Sequence, residues 1–133
     1  IWYNQNLFVQ IKIFNYIYEK EIEIGNIEYK RTLETYSEND KTDKLIRQIY
    51  WRMYEGIVSV DRECCYYIIG IEDSGSPSFS TSEEIFNSLY FISKTISETD
   101  LNYSYLLVEN TTLGNIYTIV KFWSKVSGLV DFF

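Results

Sequence analysis

The chain has 133 residues, 46% hydrophobic and 23% charged, with 12 basic side chains against 19 acidic ones and no histidine. That length suits one domain able to bury roughly two thirds of its unfolded surface, and the composition excludes a disordered, collagen-like or polyproline chain. The net charge of −7 argues against a dedicated DNA-binding domain, which should be markedly basic.

No window reaches the ~18 uninterrupted apolar residues of a membrane span. The densest run, Leu7 to Tyr18, is broken by Gln10, Lys12 and Asn15. There is no signal-peptide pattern, and the start at Ile1 reads as a piece of something longer, expected in the cytoplasm. Residue usage is skewed toward isoleucine and 13 tyrosines; these residues have AT-rich codons, so the bias is read as genomic rather than as a base-stacking surface. Charge is uneven. Residues 26–62 carry seven basic and seven acidic groups, whereas residues 63–133 carry three and nine.

From Leu7 to Ile24 the pattern fits two periods. Val9, Ile11 and Ile13 alternate as in a strand, as do Ile22 and Ile24, while Leu7, Ile11, Phe14 and Tyr18 fit a helical stripe. Extended structure is the expectation, because β-branched and aromatic residues dominate. Asn26 to Leu33 reads as a strand with Ile27, Tyr29 and Arg31 on one side and Glu28, Lys30 and Thr32 on the other. Ser37 to Asp40 is a polar loop, and Thr42 or Asp43 is placed to cap a helix. Leu45, Ile49 and Met53 form its apolar stripe, with Gly56 as the stop.

Cys64 to Ile71 is a continuous apolar run, the mark of a buried central strand. The adjacent Cys64 and Cys65 should point to opposite faces, one inward and one outward, and remain reduced. Glu72 to Pro77 is turn chemistry, with a short return strand expected around Phe79. Ser80 with Glu83, or Thr81 with Glu84, offers a capping box for a second helix buried through Ile85, Leu89, Ile92 and Ile96. Tyr103–Val108 and Ile116–Phe122 complete the sheet.

The resulting order is β-α-β-(β)-α-β-β. It predicts an α+β two-layer sandwich with two helices on one face of a mixed sheet, ferredoxin-like or like the C-terminal domain of bacterial translation initiation factor three. One core is expected to hold Ile27, Tyr29, Leu45, Ile49, Met53, Ile69, Ile71, Ile85, Leu89, Ile92 and Leu106.

Catalytic chemistry is not signalled. Gly70 and Gly75 have phosphate-loop spacing, but Ser76 and Pro77 follow where a lysine and a hydroxyl residue are needed. Glu72 and Asp73 lack further converging oxygens for a metal. No histidine is present to activate a serine, and an apolar strand suppresses thiol reactivity. The expectation is no catalytic, cofactor or metal residue. One constellation remains: Lys44, Arg47 and Trp51 at i, i+3 and i+7, outside the apolar stripe, with Lys30 on the preceding strand. Cations beside an aromatic suit an RNA backbone and base, or a protein partner.

Gly25–Lys30 (GNIEYK), Trp51–Gly56 (WRMYEG), Tyr67–Gly75 (YIIGIEDSG) and Ser82–Ile85 (SEEI) together resemble, in order and spacing, the eukaryotic GTP-binding proteins 1 and 2, translational GTPases related to elongation factor Tu. The resemblance lies in the segment preceding the GTPase domain of that family. It implies a non-catalytic accessory domain at 25–126, an N-terminal extension at 1–24, and at 127–133 the start of a link to a GTPase domain. GTP and magnesium would belong to that absent domain, which would be a docking partner together with the ribosome or RNA. A fainter similarity is to AlbA-like nucleic-acid-binding domains of Schlafen-type proteins, through Glu28-x-Lys30 and Ile69-Gly70-x-x-Asp73-x-Gly75.

Overall fold

The computed structural model describes residues 7–11, 18–38, 41–110 and 114–125. Five strands form one mixed sheet: β1 (Leu7–Ile11), β2 (Ile27–Lys30), β3 (Cys64–Ile69), β4 (Leu101–Asn110) and β5 (Asn115–Ser124). Their spatial order is β1-β4-β5-β3-β2. β1 runs parallel to β4 and β2 parallel to β3, while β5 is antiparallel to both of its neighbours. Three helices intervene: α1 (Glu34–Glu38), α2 (Thr42–Val60) and α3 (Ser82–Ile96).

The long helices share one face of the sheet, giving the two-layer α+β arrangement. Leu45, Ile49 and Met53 of α2 and Ile85, Leu89, Ile92 and Ile96 of α3 pack with Cys65, Tyr67 and Ile69 of β3 and with Val120 and Phe122 of β5. Tyr67 and Phe122 meet edge to face, centroids 5.3 Å apart, the arrangement that ring quadrupoles favour.

The expected single core divides in two. Tyr29, Ile71 and the partly buried Leu106 pack with Ile68, Val108 and Tyr117 as a second cluster, and Ile27 is exposed. The reason is the alternation of β2, whose Glu28 and Lys30 face the helix layer while Tyr29 faces away. Because residues cover both faces, Cys64 and Cys65 are both buried, where one was expected outside. Burial lifts the Cys65 thiol well above its ordinary range.

The helix ends also depart from expectation. α2 begins after Lys41 without a side-chain cap, and Thr42 and Asp43 lie inside its first turn. It continues through Gly56 and ends at Asp61, which takes the left-handed conformation. Gly56 serves a close approach instead of a stop: a Cβ there would lie 2.3 Å from the Cys64 carbonyl oxygen. α3 is capped as the sequence suggested, by the Thr81–Glu84 box. The two backbone and side-chain bonds to Thr81 hold the Glu84 carboxyl below its usual range.

Around Phe79 there is a single bridge, Ile71 to Pro77, in place of a strand, and Phe79 itself has a positive φ. Ser37 and Glu38 belong to α1, and Asn39 and Asp40 lie outside the described residues, as do 126–133, which include the expected link. Strand pairing at Leu7–Ile11 agrees with the extended reading of the N-terminal stretch; Ile13 and Phe14 lie outside the described residues. Ile22 and Ile24 are exposed and in no strand, Ile24 lying in a bend. No helix among the described residues is long and apolar enough to cross a membrane.

Candidate functional site

β2, α1 and α2 bring the four singled-out residues to one side of the molecule, but in two different states. Lys30 is turned inward. Its ammonium lies 3.3 Å from a Glu28 carboxylate oxygen and donates to the Tyr36 hydroxyl at 3.0 Å. Burial pulls the Lys30 pKa down, and the Tyr36 bond and Glu28 charge more than offset it, for a net rise. Lys44 lies over the same ring, 5.8 Å from the Tyr36 centroid, with Lys30 at 5.1 Å, so one tyrosine from α1 gathers both lysines. Lys44 and Arg47 are exposed and form no ion pair among the described residues.

Trp51 is 45% exposed, with the Arg52 guanidinium 4.9 Å from its ring centre. Along α2 the outward residues continue as Arg47, Trp51, Tyr54 and Val58, at i, i+4, i+7 and i+11, which is one helical stripe. Tyr54 and Val58 are 60% and 65% exposed. The stripe thus exposes two large aromatics, one aliphatic residue and one cation together on a single helix face.

Arg52 was not singled out by the sequence reading, and it organises the region. It is 3% exposed, although it sits on a helix between exposed aromatics. Its Nε donates to Glu28 Oε1 at 2.9 Å and its Nη1 to the Gly25 carbonyl at 2.8 Å, with a longer contact to the Ile22 carbonyl. Glu21, 3.9 Å from the guanidinium, accepts from the Tyr29 N–H at 2.6 Å. The Tyr29 N–H belongs to the outer edge of β2, so this carboxylate blunts an edge strand. Burial raises the pKa of Glu21, partly opposed by that N–H. In the sequence Arg52 stands inside the WRMYEG segment and beside Met53, at the margin of the buried stripe.

The Gly70–Gly75 segment is a tight turn and not a phosphate cradle. Gly75 N–H donates to the Glu72 carbonyl and Glu72 N–H to the Ser76 carbonyl, so these donors are spent internally. Gly75 has φ +92, and a Cβ on it would lie 2.0 Å from the Tyr18 carbonyl oxygen. The segment from Tyr18 to Glu21 crosses this turn, with Tyr18 N–H bonded to the Gly75 carbonyl and Glu21 N–H to that of Asp73. The Tyr18 hydroxyl then donates to Tyr117 at 2.8 Å. Glu72 pairs with Arg31 at 3.0 Å. Among the described residues no group of three acidic, cysteine or histidine side chains is placed to hold a metal ion.

Compared with models of known protein families, with curated proteins and with solved structures, the chain matches none of them.

Proposed function

We propose that this chain is a non-catalytic accessory domain of an elongation-factor-like GTP-binding protein, docking a GTPase domain or the translation machinery through the outer stripe of α2. The observation that carries the reading is that stripe: Arg47, Trp51, Tyr54 and Val58 exposed in line, with Lys44 beside them. Aromatic and arginine side chains on a helix face are the residues that dominate binding energy in protein interfaces.

The family resemblance supports the reading from a second direction. Its four segments fall on β2, α2, the end of β3 with its turn, and the start of α3. Arg52 of WRMYEG bonds Glu28 and Gly25 of GNIEYK. The shared residues therefore include those that join strand to helix. For the finer fold we assign the initiation-factor-three-like alternative. The ferredoxin-like order places two strands between its helices, and here β3 alone lies between α2 and α3.

The test is co-sedimentation with ribosomes and calorimetric titration against an elongation-factor-like GTPase domain encoded by the same gene. Replacing Trp51 and Val58 by alanine should weaken one of these associations by at least about tenfold, as expected for central aromatic contacts. Binding to neither partner, or binding untouched by the substitutions, overturns the reading. A steep loss of RNA affinity with salt, removed by Lys44→Glu and Arg47→Glu, would instead assign the AlbA-like nucleic-acid function.

A further inference from the structure

Toward the C-terminal end of α2, away from Lys44, a groove of about 280 Å³ opens between the helix and the strand ends. Tyr50, Met53, Tyr54 and Ile57 supply its helix wall, and Glu63 and Asp100 stand across from them. The Tyr50 hydroxyl donates to an Asp100 carboxylate oxygen, fixing one ring against one charge. Neither Glu63 nor Asp100 is paired with a cation among the described residues.

Three features favour a cation here. Two carboxylates border the groove and both act on the Tyr50 phenol, whose pKa the Asp100 hydrogen bond, burial and the two charges push up to about 12. The carbonyl end of α2 is close by, and its last turn carries no basic residue to offset the helix dipole. The wall offers tyrosine faces, which attract cations through the ring quadrupole. A hydrated ammonium would use the charges but little of the wall. A guanidinium is planar and weakly hydrated, stacks on aromatic rings and bonds carboxylates through its fork of N–H groups.

We propose that this groove receives an arginine side chain from a partner protein, stacked on Tyr50 and Tyr54 and bonded to Asp100 and Glu63. The net charge of −7 draws a basic partner toward the chain at long range. The groove adjoins the outer stripe of α2 and shares Tyr54 with it, but its carboxylates lie outside that stripe, and the inference does not depend on the accessory-domain reading.

The experiment titrates the isotope-labelled 133-residue chain with N-acetyl-arginine amide, N-acetyl-lysine amide and the uncharged N-acetyl-citrulline amide, following backbone amide shifts. Saturable shifts at Tyr50, Tyr54, Glu63 and Asp100 are expected with the arginine compound, with lysine at least a few-fold weaker and citrulline without effect. Glu63→Gln with Asp100→Asn should weaken arginine binding by about tenfold or more, at an unchanged unfolding midpoint, since both residues are exposed. Lys44→Glu with Arg47→Glu should leave it unchanged. Equal binding of citrulline or lysine, shifts located elsewhere, or a double variant that binds as the parent does would each overturn the proposal.

Discussion

Lys30 and Arg52 on one hand, and Lys44 and Arg47 on the other, lie within the same strand-helix unit and carry the same charge, yet they occupy opposite environments. The first pair faces Glu28 and is closed in by Tyr36, Trp51 and the carbonyls of Ile22 and Gly25. The second pair is exposed, and among the described residues Lys44 lies over the Tyr36 ring. The inner cations join elements, and the outer cations are available to a partner. Basic residues near an aromatic therefore count toward an interface only after their carboxylate partners have been subtracted. Lys30 leaves the set of contact residues on that ground.

The strongest way to break this contrast is Arg52→Ala. It leaves the buried Glu28 without its main counter-charge and the Gly25 carbonyl without a donor, which should cost about 3–5 kcal/mol in a urea unfolding titration. Replacing Arg52 by methionine and Glu28 by leucine together should recover much of that loss, since a well-packed apolar pair avoids the desolvation of both ions. A single and a double variant of equal stability would show that the pair is not coupled.

A smaller effect is expected from Tyr36→Phe, which keeps the ring under both lysines and removes the hydroxyl that Lys30 bonds. The cost should be about 0.5–1.5 kcal/mol, read as a lower unfolding midpoint with unchanged slope.

The inner cluster also leaves a mark on pH dependence. Burial raises the pKa of Glu21 in the folded state, so the folded chain holds that proton where the unfolded chain has released it. Stability should then fall as pH rises from the ordinary carboxylate range through the folded-state value. Glu21→Gln should flatten this part of the profile, measured as unfolding midpoints across the acid range; an unchanged profile would remove Glu21 as its source.

The smallest effect on stability belongs to the outer pair. Lys44→Glu with Arg47→Glu should stay within about 0.5 kcal/mol of the parent while changing partner binding. A large loss of stability would mean that these cations are structural after all.

Much of the fold was legible because the signals were local. The Leu45–Ile49–Met53 stripe, the Thr81–Glu84 capping box and the apolar run through Cys64 each depend on spacing along a few residues. The failures depend on what lies across space. Gly56 has the composition of a helix stop, but the proximity of Cys64 explains it better. Glu28 is polar by composition and faces the helix layer because Arg52 meets it there. The five residues of α1 are too few for a periodicity to emerge, though Leu33 at its entrance is tied to Ser88 of α3. For the candidate surface, Lys44, Arg47 and Trp51 were readable from one helix. The groove at Tyr50 was not, since Glu63 and Asp100 precede two different strands, β3 and β4, far apart in the chain.

The position of β5 bears on how the chain can be made. Among the described strands it is the last in chain order, yet it lies in the middle of the sheet, between β4 and β3. β1, the first of the described strands, finds its partner only when Leu106 to Asn110 have appeared. During translation, β2, α2 and β3 can associate as a unit, but the other edge of β3 stays unpaired until Asn115–Ser124 leave the ribosome. That edge belongs to the apolar run Cys64–Ile69, the type of strand that pairs readily with other chains. A chain that has emerged only up to Asn110 should thus be a far better target for chaperones than one exposed through Ser124, a difference that ribosome-bound nascent chains of the two exposed lengths would display as protease resistance.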